Sequence, residues 1–153
     1  MRRSALLAVC LSGCGYALGS GVSRLPAGAE AVQVRPLDNR SADADAGALV
    51  AAALRRELAR RGAEGGPGAP ASLTGEVEEV TAVPAAAGTW RLTLVVRASL
   101  VSAGRPLGEA RARQSEDYLA GVDALESEGR RRIALGRAAE AAARELCERL
   151  ARP

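Results

Sequence analysis

Histidine, lysine and phenylalanine are absent from this chain of 153 residues, and aromatic residues amount to one Trp and two Tyr. Without histidine there is no imidazole to serve as general base for a Ser or Cys nucleophile, and no histidine ligand for zinc. No glycine-rich turn joins a strand to a helix, so a phosphate cradle for nucleotides is missing too. Asp43 with Asp45 and Glu76 with Glu78 are the nearest approach to paired carboxylates. The first pair sits where a helix should start and the second on the wet side of a strand, and nothing in the neighbouring sequence suggests a perturbed pKa. The expectation is a protein that is not an enzyme and holds neither metal nor cofactor. The shortage of aromatics leaves Leu, Val and a large stock of Ala to fill the core, which demands thin layers and close approach of helix to sheet. No apolar run approaches the ~20 residues of a membrane-spanning helix.

The first fourteen residues carry the strongest local pattern. Arg2 and Arg3 precede a short apolar run, Ala5 to Val9, and Leu11-Ser12-Gly13 leads into Cys14. A basic start, a short apolar segment and small residues before a cut are the marks of a secretory signal. With cysteine at the cut, the pattern resembles the bacterial lipoprotein signal. The resemblance implies cleavage before Cys14 and acylation of Cys14 on its sulfur and its new amino group. Each buried methylene contributes ~0.8 kcal/mol, so two or three chains anchor a protein stably without spanning the bilayer. Gly15, in place of the aspartate that retains enterobacterial lipoproteins in the inner membrane, implies the outer membrane. The chain then divides into a leader (1–13), a lipidated N-terminus and tether (14–30) and one domain (31–153). Cys10 leaves with the leader and Cys14 with its lipid, so Cys147 is alone, no internal disulfide can form, and Cys147 is expected as a small buried apolar group. Without the leader, nineteen arginines face eighteen acids, a balance that gives no nucleic-acid footprint.

Periodicity divides the domain into six elements. Ala31 to Arg35 alternates and stops at Pro36, as a strand leaving into a turn does. Asp43 and Asp45 supply N-cap candidates for a helix over roughly Ala46 to Arg61, whose Leu49, Val50, Ala53, Leu54 and Leu58 share a face and which Gly62 closes. After the Gly65 to Pro70 loop, Leu73 to Val80 reads as a strand with Glu76, Glu78 and Glu79 on a solvated side, and Pro84 to Gly88 as a break. From Trp90 to Val101 the alternation is longest. Trp90, Leu92, Leu94, Val96, Ala98 and Leu100 face the core, and Arg91, Thr93, Val95, Arg97, Ser99 and Val101 face away. Pro106 to Tyr118 returns as a hairpin partner. A three-residue loop at Gly104 sets Gly108, Ala110 and Ala112 inward and Arg111 opposite Arg97, whereas a two-residue loop brings Arg111 and Arg113 to the core rows. The first is expected, because a one-residue slip swaps faces and buried arginines are costly. A last helix, about Ala124 to Leu150, presents Leu125, Ile133, Leu135, Ala139, Ala142, Ala143, Leu146, Cys147 and Leu150.

The order β-α-β-β-β-α predicts an α+β two-layer sandwich, a mixed four-stranded sheet with two helices packed on one face. The other face carries a row of arginines. Like charges directly opposite destabilise a sheet unless an anion lies between them, so the pairing of Arg97 with Arg111 is a candidate anion site. The planar fork of Arg suits phosphate; a solvated strand face, with Glu109 and Asp117 nearby, is the plainer alternative.

The run Cys14-Gly15-Tyr16 with Leu18, Leu25-Pro26, the turn Pro36 to Ser41, the helix end Leu54 to Gly62, Leu73-Thr74-Gly75-Glu76-Val77, Trp90 to Leu94, and Ser115 to Leu119 before a long helix together resemble the lipopolysaccharide-assembly lipoprotein family, LptE. The resemblance implies an outer-membrane lipoprotein facing the periplasm, seated as a plug in a large β-barrel partner of the LptD kind, which it helps to assemble and through which lipopolysaccharide reaches the cell surface. It also implies basic residues binding the lipid's phosphates, a role that falls on Arg91 and Arg97 and, further along, on Arg111 and Arg113. A second class of lipoproteins, activators of cell-wall synthases, has a similar turn after its first strand and a similar domain, and supplies the alternative of a binding module acting on a periplasmic enzyme. Replacing Cys14 by Ser should abolish palmitate labelling in cells and release the domain as a soluble periplasmic protein. Continued labelling would remove the basis for the anchor.

Overall fold

The computed structural model describes residues 25–152; Cys10, Cys14, the leader and most of the tether lie outside the described residues. The elements run β1 (Val32–Val34), β2 (Asp38–Asn39), α1 (Ala46–Arg60), β3 (Ala71–Ala86), β4 (Thr89–Ser102), β5 (Arg105–Leu119) and α2 (Ala124–Leu150). They form the expected α+β two-layer build. One sheet has the order β1-β3-β4-β5, with β2 also on β3, so it has five strands where four were expected. β1 and β2 both run parallel to β3, against Ala71–Leu73 and Glu76–Val77. They are one interrupted edge, broken where Pro36 leaves no backbone donor. The antiparallel meander β3-β4-β5 makes up the rest.

Composition dictates the packing. The inner face of β4 is Leu92, Leu94, Val96, Ala98 and Leu100, all fully buried, and β5 sets Gly108, Ala110 and Ala112 beside them. α2 crosses β4 and β5 while packing on α1, which covers β3 and the parallel edge. Ala134, Ala138, Ala139, Ala142 and Ala143 form much of α2's buried face, which keeps the helix close to the sheet. At Gly108 a Cβ would stand 3.5 Å from the Leu150 side chain. Gly75 is tighter, since a Cβ there would lie 2.5 Å from the Arg97 carbonyl oxygen.

The hairpin register is the predicted one, reached by a different route. Leu100 pairs with Gly108, Val96 with Ala112 and Arg97 with Arg111, yet the turn is the two-residue Ala103-Gly104, with Ser102 paired to Arg105. Both turn residues have positive φ, 48° and 79°, which suits the twist of a two-residue hairpin. The shift between Leu100 and Val101 leaves Leu107 as an extra residue. That bulge restores the parity that keeps Arg111 and Arg113 off the core.

Several expectations are corrected. β3 continues through Pro84 to Ala86, because beyond β2 it is an edge strand on which a missing N–H is tolerated. Leu125 and Ile133 are 83% and 59% exposed, not part of the α2 band, and Trp90, at the end of the core row, is 36% exposed. Val95 and Thr93 point away from the helices yet are buried. Val95 lies between Glu79 and Arg113 across the sheet and Thr93 and Arg97 along it, an environment that long polar chains cover with their stems. Asp45 occupies the α1 N-cap position without a capping bond. Asp43 and Asp45 instead accept from Arg131 (2.7 Å) and Arg132 (2.6 Å) of α2. Asp123 does cap α2, accepting from the Glu126 N–H at 2.8 Å, while Glu126 accepts from the Val122 N–H. Leu94→Arg should destabilise the domain by several kcal/mol, since its charge would be buried without a partner. Thr81→Arg, on the opposite face and exposed, should change little. Thermal melts of the two variants in the reverse order would invert the faces.

Candidate functional site

The helix-free face of the meander brings the predicted arginines together. Arg97 on β4 stands directly across from Arg111 on β5, with Arg113 two residues further on the same side and Arg91 towards the far end of β4. The anion between Arg97 and Arg111 is supplied by the chain itself. Glu78 has no partner on β4, because the register steps from Val77 opposite Val96 to Glu79 opposite Val95. This β-bulge turns Glu79 to the outer face and Val80 back to the core. The Glu78 carboxylate accepts from Arg97 Nε at 3.0 Å through one oxygen and from Arg111 Nε at 2.7 Å through the other. Hydrogen bonding from Arg111, reinforced by both positive charges, holds its pKa below the ordinary 4.5.

Arg91 is engaged differently. It donates to both oxygens of Asp117, at 2.8 and 2.9 Å, a bidentate pair in which Arg91 lowers the Asp117 pKa below 3.8. Arg113 is exposed and makes no ion pair among the described residues. Glu76 pairs with Arg40, and Glu109 accepts from the Ser99 hydroxyl. The face is therefore a lattice of balanced charges, not a basic patch. Glu78 is the residue that sequence reasoning placed among solvated acids. The signal was present in the adjacent acids Glu78-Glu79 between Val77 and Val80, a three-residue step in a two-residue period.

The end of the sheet that holds the β3-β4 turn has another character. Val83, Trp90, Leu119, Val122 and Leu125 are exposed there. Beside them a groove of about 340 Å³ runs between β5 and α2, with Tyr118, Leu119 and Ile133 on its walls and Arg137 at its rim. Cys147 is buried, and burial pushes its thiol up to about 11. Among the described residues no group of three His, Cys, Asp or Glu could hold a metal ion, and no helix is long and apolar enough to cross a membrane.

The two-layer α+β fold with an open sheet face recurs among solved structures. The fold of this chain is similar to that of a lipoprotein from Caulobacter crescentus (23% identity, 86% of this chain and 94% of that one, TM-score 0.66). It is similar as well to PelC, a dodecamer from Paraburkholderia phytofirmans (16% identity, 86% and 94% covered, TM-score 0.59), and to rare lipoprotein B from Shewanella oneidensis (14% identity, 72% and 87% covered, TM-score 0.51). No curated protein matches the sequence. The lipopolysaccharide-assembly family model LptE matches residues 29–152, and the chain belongs to that family.

Carboxylates paired with arginines, on the open face and on the helices, set the acid limit of the fold. Glu57, 5% exposed on α1, shows the balance best: burial raises its pKa, but hydrogen bonds from Arg60 and Arg61 outweigh that and leave it lowered. Glu78, Asp117, Glu126 and Glu128 are lowered as well. A depressed carboxylate contributes stability that is present above its unfolded value and lost as pH falls through the folded one. The Tm should be level from neutral pH down to about 5 and drop below the ordinary carboxylate values of 4.5 and 3.8. Thermal melts across that range check it.

Proposed function

We propose that this member of the LptE family is an outer-membrane lipoprotein, anchored through Cys14 and facing the periplasm, that binds lipopolysaccharide by its phosphates on the open sheet face. It does so as plug and assembly partner of an LptD-like β-barrel, and it works by binding rather than catalysis. The observation that carries the lipid-binding part is the cross-strand pair Arg97 and Arg111, with Arg113 beside it and Arg91 along the strand.

The energetics of exchange support this reading. Arg97, Arg111 and Arg91 are each more than half exposed in their ion pairs, and such pairs contribute ~0–1 kcal/mol. A phosphate with its charge-assisted contacts gains ~1.5–3 kcal/mol for each arginine engaged. A ligand with several phosphates can therefore displace the resident carboxylates, whereas one weak anion cannot. Membership of the LptE family disfavours the alternative of a cell-wall synthase activator.

Arg97→Gln with Arg111→Gln should leave circular dichroism unchanged and lower lipopolysaccharide affinity tenfold or more, since two charge-assisted contacts are lost. Rising salt should weaken the wild type more than the variant. Affinity equal to wild type in the folded double variant sinks the site. Pull-down from solubilised outer membrane should recover a large β-barrel, and recovery of a cell-wall synthase instead would reverse the choice of partner.

A further inference from the structure

Resting on that reading, we infer that Glu78 is an internal competitor for the phosphate seat. Its carboxylate occupies Arg97 and Arg111 in the free protein, an incoming phosphate displaces it, and the affinity it withholds keeps weakly held anions out.

Three observations support it. Glu78 is the extra residue of a β-bulge, so its backbone is outside the cross-strand pairing and its side chain is free to lie across β4 towards β5. Its two oxygens are divided between the two arginines, at 3.0 and 2.7 Å, the way two oxygens of a phosphate would be. The bonds reach only the Nε of each arginine. The terminal Nη groups make no hydrogen bond among the described residues, and the two side chains are 58% and 55% exposed. Both guanidiniums are thus held side by side with their outer donors unoccupied. A ligand can engage those first and take the inner positions as Glu78 swings away.

The consequence is quantitative. A competitor that must leave before the ligand is seated reduces the apparent affinity of every ligand by the same factor, the fraction of molecules with the seat open. Two largely exposed ion pairs make that factor about threefold to tenfold. A phosphate monoester, dianionic near neutral pH, binds the arginine pair strongly enough to stay bound after this reduction. A phosphodiester, with one charge, falls below useful occupancy. For a protein surrounded by phosphodiester lipids, Glu78 keeps the seat clear of the bulk membrane while admitting monoester phosphates.

The experiment uses full-length lipidated protein in detergent and follows calorimetric titration with three probes: dioctanoyl phosphatidic acid as the lipid monoester, dioctanoyl phosphatidylglycerol as the diester, and inorganic phosphate. Glu78→Gln should tighten phosphatidic acid and phosphatidylglycerol by the same factor, about threefold to tenfold, and the gain should disappear when Arg97→Gln and Arg111→Gln are added. Inorganic phosphate gaining as much as phosphatidic acid identifies the phosphate alone as the element recognised; a gain confined to phosphatidic acid shows that the lipid is recognised with it. In either case the competitor role stands, provided that the two lipids gain equally whenever both bind. Unchanged or weaker binding overturns it by making Glu78 a positioning residue. A gain larger for the monoester than for the diester overturns it too, because that pattern belongs to a carboxylate that stays in place and repels. If the arginine variant loses lipopolysaccharide while Glu78→Gln leaves the phosphatidic acid affinity unaltered, this inference fails and the proposed function survives. If neither variant changes binding of any probe or of lipopolysaccharide, both fail.

Discussion

Close contact between an alanine-lined helix and a glycine- and alanine-lined strand is the constraint on which the rest of the domain depends. Having almost no aromatics, the chain cannot fill a thick core. It brings α2 down onto Gly108, Ala110 and Ala112 of β5 and the leucine row of β4. In a layer this thin, a side chain on the wrong face has nowhere to go. Register is therefore held tightly, and the Leu107 bulge is what reconciles a two-residue turn with it. The arrangement of arginines on the other face follows directly, because the parity that buries Ala110 and Ala112 is the parity that exposes Arg111 and Arg113.

On the open face the governing effect is electrostatic compensation. Two arginines opposite each other in a sheet repel, and the Glu78 bulge resolves the repulsion from within the chain. Arg91 has its counter-charge directly opposite in Asp117, and in the helix layer Asp43 and Asp45 reach across to Arg131 and Arg132 to tie the start of α1 to α2. Since every cation here is arginine, each of these contacts is a planar fork whose charge does not titrate near neutral pH. The pH sensitivity of the network then lies wholly with its carboxylates.

Much of this was legible in the sequence where one period ran unbroken. The alternation from Leu92 to Leu100 assigned the faces correctly, the hairpin register followed from keeping Arg111 and Arg113 out of the core, and the order of motifs from Leu25 to Leu119 pointed to the family that the match over residues 29–152 shows. Legibility failed where tertiary context overrode a local rule. Pro84 reads as a breaker, but an edge strand needs no donor on its open side. Leu125 and Ile133 fit a helical stripe, but both are exposed, and Ile133 borders an open groove between α2 and β5. Val95 and Thr93 fit a wet face, but long neighbours cover them. Glu78 was hidden for a different reason: a bulge appears in sequence only as a missed beat in the alternation, and its partners lie nineteen and thirty-three residues away.

The interrupted parallel edge also gives the domain a mechanical asymmetry. The described chain enters at Leu25 and reaches the sheet through β1, whose ladder to β3 is three residues long, whereas β3, β4 and β5 are joined by long antiparallel ladders. Tension applied through the N-terminus is delivered to that short ladder first and to the meander last. Few backbone pairs join that edge and many join the meander, so a pull from the N-terminal side loads the edge before it reaches the arginine face.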